Sequence, residues 1–123
     1  MEQQGKIAVV AGGTAGVGLA TVDALIESGY RVGVLARGSD RLAEVENRFG
    51  GDVLALQCDV SDADAVLEAA RTVKKAWGSV DVWVNCAMLT AFSKFADLSP
   101  QEFRAITDTT YLGQVWGTRA ALD

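Results

Sequence analysis

The stretch that most constrains this chain is Val9-Val10-Ala11-Gly12-Gly13-Thr14-Ala15-Gly16-Val17-Gly18-Leu19-Ala20. An apolar run stops at glycines, and a helical pattern starts directly after them. Strand, glycine turn and helix in that order set helical amides, and the positive end of the helix dipole, where a phosphate can bind. The glycines serve different ends. Gly12 allows a sharp turn, Gly16 close approach of backbone to a pyrophosphate, and Gly18 tight packing of helix on sheet. The alternative is an ordinary glycine-rich turn. The spacing is G-x-x-x-G-x-G, and no Gly-Lys-Ser/Thr follows, which disfavours a mononucleotide P-loop.

The rest of the chain alternates. Lys6 to Ala11 is short and almost wholly apolar, as expected for a parallel strand covered on both faces. Val17, Ala20, Thr21, Ala24 and Leu25 follow at helical spacing, and Gly29 ends that helix. Arg31 to Ala36 reads as the second strand. Ser39 is placed to cap a charged helix running to about Phe49, stopped by Gly50-Gly51. Asp52 to Cys58 reads as the third strand. Ser61 is expected to cap the next helix, whose buried stripe is Val66, Ala69, Ala70, Val73 and Trp77 and whose end is Gly78. Val80 to Asn85 reads as the fourth strand. After a loop, Ser99, Pro100 and Glu102 form a capping box with proline at the first helical position. Helical spacing then continues almost to Asp123, with a bend expected near Thr109-Thr110.

Strands alternating with helices imply right-handed crossovers and a parallel sheet. With the glycine turn after strand one, the expected fold is α/β: a partial doubly wound, three-layer αβα sandwich of strand order 3-2-1-4, one domain over residues 1–123 that stops before a fifth strand.

Composition removes several functions. The chain has 123 residues, half of them hydrophobic, and a net charge of −5. An acidic chain with scattered Lys and Arg is unsuited to nucleic acid or an anionic membrane. No apolar run approaches a membrane span of about 20 residues. The N-terminal Met1-Glu2-Gln3-Gln4-Gly5-Lys6 lacks the features of a signal peptide, and Cys58 and Cys86 form no CxxC motif, so a reducing cytoplasmic setting is expected. There is no histidine, which removes Ser-His and Cys-His pairs and most zinc sites; no metal site is expected. Cys86, with no base in evidence, reads as a small buried residue rather than a nucleophile.

Ala11-Gly12-Gly13-Thr14-Ala15-Gly16-Val17-Gly18 resembles the TGxxxGxG motif of the short-chain dehydrogenase/reductase family, with Ala11 in place of the usual threonine. Cys58-Asp59-Val60 resembles the family's acidic residue after strand three, which contacts adenine. Asn85-Cys86-Ala87-Met88 resembles its NNAG motif, departing at Cys86 and Met88. The match in order and spacing covers essentially the whole chain. The resemblance implies a Rossmann fold and NAD(P)-dependent oxidoreduction of a carbonyl or alcohol. It implies cofactor-binding residues Gly12, Thr14, Ala15, Gly16, Val17, Gly18, Arg37, Asp59, Val60, Asn85 and Ala87. Asp59 has a plainer alternative as a helix-flanking residue in a solvated loop, and Asn85 as a group satisfying backbone at a strand end.

NADP(H) is favoured over NAD(H). NAD-specific sites usually end strand two with Asp or Glu, whereas this strand ends Leu35-Ala36-Arg37. Ala36 leaves room and carries no charge to repel a phosphate. Arg37 can pair with one bidentately, and Arg41 is placed to assist. The alternative for Arg37 is a solvated loop arginine.

The family's tyrosine acid/base has a lysine four residues later. Here Val34 and Val115 follow Tyr30 and Tyr111 at that distance, so no catalytic residue is assigned. The position where many relatives carry an asparagine of the proton relay is Thr110. The chain is therefore expected to hold a cofactor weakly without turnover, the alternative being a non-catalytic NADP-binding sensor or interaction module. Strand four's open edge, and a final helix exposing Leu112, Val115, Trp116 and Ala120, are expected to promote self-association.

Overall fold

In the computed structural model, which describes residues 5–123, strands and helices alternate as the periodicity requires. Residues 1–4 of the segment read for signal-peptide features lie outside that range. Strand β1 (Ile7–Ala11) leads through the glycine turn into helix α1 (Gly16–Glu27). Strand β2 (Arg31–Ala36), helix α2 (Ser39–Phe49), strand β3 (Val53–Gln57) and helix α3 (Ala63–Trp77) follow. Strand β4 (Val82–Asn85) is separated by a long loop from helix α4 (Pro100–Ile106). A π-helical turn (Thr107–Leu112) joins α4 to helix α5 (Gly113–Leu122). The strands are all parallel, in the order β3-β2-β1-β4.

Alternate residues of β1 feed two cores, which is why it reads as continuously apolar. Ile7, Val9 and Ala11 join Leu35 against Val66, Ala70 and Val73 of α3 and Ala120 of α5. Ala8 and Val10 join Val32 and Val34 against Val22 of α1 and Leu42 and Val45 of α2. The result is the expected three-layer α/β sandwich.

Several local expectations hold. Gly29 adopts φ 91°, and the amides of Gly29 and Tyr30 bond back to Ile26 O and Leu25 O at 3.0 Å, closing α1 in a Schellman motif. The Ser99–Glu102 capping box is present, with Pro100 opening α4. The bend near Thr109-Thr110 is the π-helical turn.

Others need correction. Asp62, not Ser61, caps α3, its Oδ1 accepting from the amides of Asp64 and Ala65 at 3.1 and 3.2 Å. Ser61 is instead drawn to the Asp59 carboxylate. Ser39 makes no cap: extended Gly38 takes the cap position, leaving Ser39 as the first residue of α2. Strand β4 begins at Val82 rather than Val80, because Asp81 uses its side chain to accept from the Ile7 amide at 2.9 Å. The exposed face of the last helix also differs. Ala120 is buried, and Leu112 and Trp116 are half-buried, whereas Tyr111, Val115 and Leu122 are exposed. Small residues let α5 sit close on its neighbours, Gly113 against Val60, Gly117 against Trp83 and Asn85 of β4, and Ala120 in the core shared with α3, which draws Trp116 inward.

Candidate functional site

Strand order reverses at β1, since the chain leaves it towards β2 and later returns on its other side as β4. Loops at the carboxyl ends of the strands part at such a point and open a crevice. A cleft of about 460 Å³ lies there. It is lined by Gly12 and residues 14–18 of the glycine turn, the end of β2 (Leu35, Ala36, Arg37), Cys58 and Val60 after β3, Cys86 to Leu89 after β4, and Thr109 of the π-turn.

The turn is shaped by backbone contact. Gly12 has φ 86°, and a Cβ there would lie 2.7 Å from Cα and N of Ala87. A Cβ on Gly18 would collide with the Gly12 carbonyl oxygen. Gly16 differs: its φ is 54° and nothing lies within 4 Å of a Cβ built on it, so its face is open. Helix α1 starts beside it without a side-chain cap and without an acidic residue in its first turn. Leu19 N bonds to Ala15 O at 3.2 Å as the helical ladder begins. The earlier amides of the helix are the donors that an α-helix leaves for a cap or a ligand. This donor set, with an open backbone face between its members, fits a dinucleotide pyrophosphate.

The second-strand end is arranged for charge. Ala36 is half-buried and Arg37 exposed, both on the cleft. The side-chain amide of Gln57, at the end of β3, donates to the Arg37 carbonyl at 2.8 Å. Gln57 has no marker in the sequence beyond its position.

The structure brings Gly12, Thr14, Ala15, Gly16, Val17, Gly18, Arg37, Val60 and Ala87 together around the cleft. Asp59 and Asn85 are not among its lining residues. One Asp59 oxygen accepts from Ser61 N at 3.0 Å and Ser61 Oγ at 2.7 Å. Those bonds, with the nearby Arg37 charge, hold its carboxyl below the usual range. Asn85 points towards α5: its Oδ1 accepts from Trp83 Nε1 at 2.9 Å and its Nδ2 donates to Thr118 Oγ1 at 3.4 Å. Thr110 Oγ1 donates to the Leu89 carbonyl at 2.9 Å and accepts from the Leu89 amide at 3.0 Å. That hydroxyl therefore ties the wall after β4 to the π-turn. Tyr111 is 65% exposed and lies off the cleft. Among the described residues no acidic, histidine and cysteine cluster could hold a metal ion, and no helix is long and apolar enough to cross a membrane.

Both cysteines reach the cleft, Cys58 buried and Cys86 half-buried. Burial, with Asp59 and Asp62 adding negative charge, pushes the Cys58 thiol from 9.0 up to about 11. At pH 8 its thiolate fraction is then about 100-fold below that of an ordinary thiol. A thiolate-specific reagent at pH 8 should modify half-buried Cys86 first and Cys58 slowly, as peptide mapping over time would reveal. The raised Cys58 value favours the protonated thiol in the folded state. Its stabilisation is complete below about pH 9 and is lost as pH rises towards 11.

A family model described as short chain dehydrogenase matches residues 6–123. The chain is 40% identical over 118 residues to a probable NADP-dependent dehydrogenase of Haemophilus influenzae, covering 94% of this chain and 46% of that protein. It is 32% identical to the NADP-dependent (R)-specific alcohol dehydrogenase of Lentilactobacillus kefiri, covering 97% of this chain and 48% of the relative. Among solved structures, an F189W actinorhodin polyketide ketoreductase with NADPH superposes with a TM-score of 0.90 at 28% identity, over 100% of this chain and 49% of that one. The chain thus spans about half the length of these relatives.

Proposed function

Because the chain belongs to the short-chain dehydrogenase family, we propose that it is the cofactor-binding half of an NADP(H)-dependent oxidoreductase acting on a carbonyl or alcohol. The observation that carries this is the pairing, in one cleft, of an uncapped helix start at an open Gly16 with a second-strand end that offers Arg37 and no carboxylate. In this reading the first amides of α1 receive the pyrophosphate. Ala36 leaves room for a 2′-phosphate and Arg37 pairs with it. Val60 and Ala87 flank the bound molecule, while Asp59 contributes beside the adenine and Asn85 supports the wall after β4. A bound nicotinamide dinucleotide would supply the hydride. The relatives named as NADP-dependent, and the neighbour holding NADPH, support this choice of cofactor.

Proton transfer requires groups outside these residues, since neither tyrosine has a lysine four positions on. The chain should bind NADPH in preference to NADH, measured by tryptophan quenching or cofactor fluorescence, and should not consume it with a broad panel of carbonyls. Absence of saturable binding would overturn the reading. Turnover would overturn the division of labour between this half and the remainder. The open edge of β4, the exposed Tyr111 of the π-turn and the exposed Val115 and Leu122 of α5 further suggest self-association. A uniform monomer in light scattering at micromolar concentration would count against that part.

A further inference from the structure

The geometry points to Gln57 as a positioning residue that sets cofactor selectivity, by fixing the Arg37 carbonyl so that the guanidinium stands ready for a 2′-phosphate. The inference rests on the NADP reading and deepens it. Gln57 pairs in register with Ala36 at the last rung of the β2–β3 ladder, and Cys58 N bonds to Ala36 O at 2.8 Å one step further. Beyond that rung β2 has left the sheet. Arg37 and Gly38 are exposed, and a Cβ built on Gly38 would meet nothing within 4 Å. The Gln57 side chain spans this gap, its Nε2 donating to Arg37 O at 2.8 Å from 20 residues away.

A second arrangement keeps Arg37 available. Asp59 is a carboxylate near enough to feel the Arg37 charge, yet one of its oxygens is engaged by Ser61 N and Ser61 Oγ. Among the described residues the sole ion pair is Arg48–Asp23, so Arg37 has no carboxylate within salt-bridge distance. A guanidinium on an anchored turn, without a competing partner, loses less freedom on meeting a phosphate than one on a loose loop. Gln57 itself is not among the residues that line the cleft.

The test compares Kd for NADPH and NADH in the wild-type chain, Gln57→Met and Gln57→Glu. Methionine keeps the length and removes the donor; glutamate keeps the shape, removes the donor and adds negative charge. Loss of one neutral hydrogen bond should lower the NADPH-over-NADH preference about 3- to 10-fold in Gln57→Met, and further in Gln57→Glu. NADH affinity and thermal midpoint should stay near wild type in Gln57→Met. An unchanged preference in both variants overturns the role of Gln57 while leaving the NADP reading intact. Equal weakening of both cofactors makes Gln57 merely structural and also overturns it. A wild-type chain with no preference overturns the NADP reading and this inference with it.

Discussion

Replacing Gly12 with alanine should cost about 2–5 kcal/mol of stability, from left-handed strain and overpacking together. Alanine at φ 86° is strained before any neighbour is considered. Its methyl would also press on the Ala87 backbone and on the carbonyl carbon of Cys86, 2.9 Å away. These are main-chain atoms of the loop after β4, and Cys86 N is itself bonded to Ala11 O at 2.8 Å, so retreat breaks the sheet. With domain stabilities of about 5–15 kcal/mol, the thermal midpoint should fall by roughly 10 °C or more. Cofactor binding should be lost too, because the displaced loop carries one wall of the cleft. Calorimetry and titration on the same sample check both effects. Gly16→Ala is the informative control: it keeps open space around the new methyl, so its stability loss should be confined to backbone strain while binding still suffers.

The second large effect is expected at Arg37. Truncation to alanine should weaken NADPH binding about 10- to 100-fold, the contribution of one charge-assisted hydrogen bond of about 1.5–3 kcal/mol. NADH, which lacks the 2′-phosphate, should bind unchanged. Fold stability should also be unaffected, since Arg37 is exposed and its anchored atom is the backbone carbonyl, which alanine retains. Raising the salt concentration should erode the wild-type preference and leave Arg37→Ala indifferent, because an exposed charge pair is screened. A variant that loses both cofactors equally would remove Arg37 from phosphate recognition.

Legibility from sequence followed the locality of each interaction. The glycine turn is set by neighbours in the chain, so its strand, turn and helix could be read directly. Strand order came from the same source, since a glycine turn after strand one in an alternating chain points to the doubly wound order 3-2-1-4. The cap of α3 was placed at Ser61, one residue before the side chain that makes it, because neighbouring Ser and Asp are both able caps. The choice falls to Asp62 because Asp59, two residues upstream of Ser61, engages that serine. The direction of Asn85 depends on Trp83, which shares its side of the strand and offers an indole N–H. Gln57 was invisible as a functional residue, since an exposed glutamine at a strand end means nothing until register sets it opposite Ala36. The bend before the last helix was legible, but its exposed face was not, because close packing at Gly113 and Gly117 redirects the apolar residues beside them.

The Trp83–Asn85 bond has a consequence for how the molecule opens. Trp83 donates to Asn85, Asn85 to Thr118, and Thr118 to the Gln114 carbonyl at 2.8 Å, so the hydrogen bonds run one way from the sheet into the helix. Gly117 lies beneath, where a Cβ would strike the Asn85 side chain. Detaching α5 alone would break the polar run from β4 into the helix and bare the packing surface at once. Strand β4 and helix α5, joined by a bond between residues 33 positions apart in the chain, therefore behave as one cooperative unfolding unit. Their slowest amide protons should exchange with a common opening free energy, set apart from those of the glycine turn on the other side of the cleft.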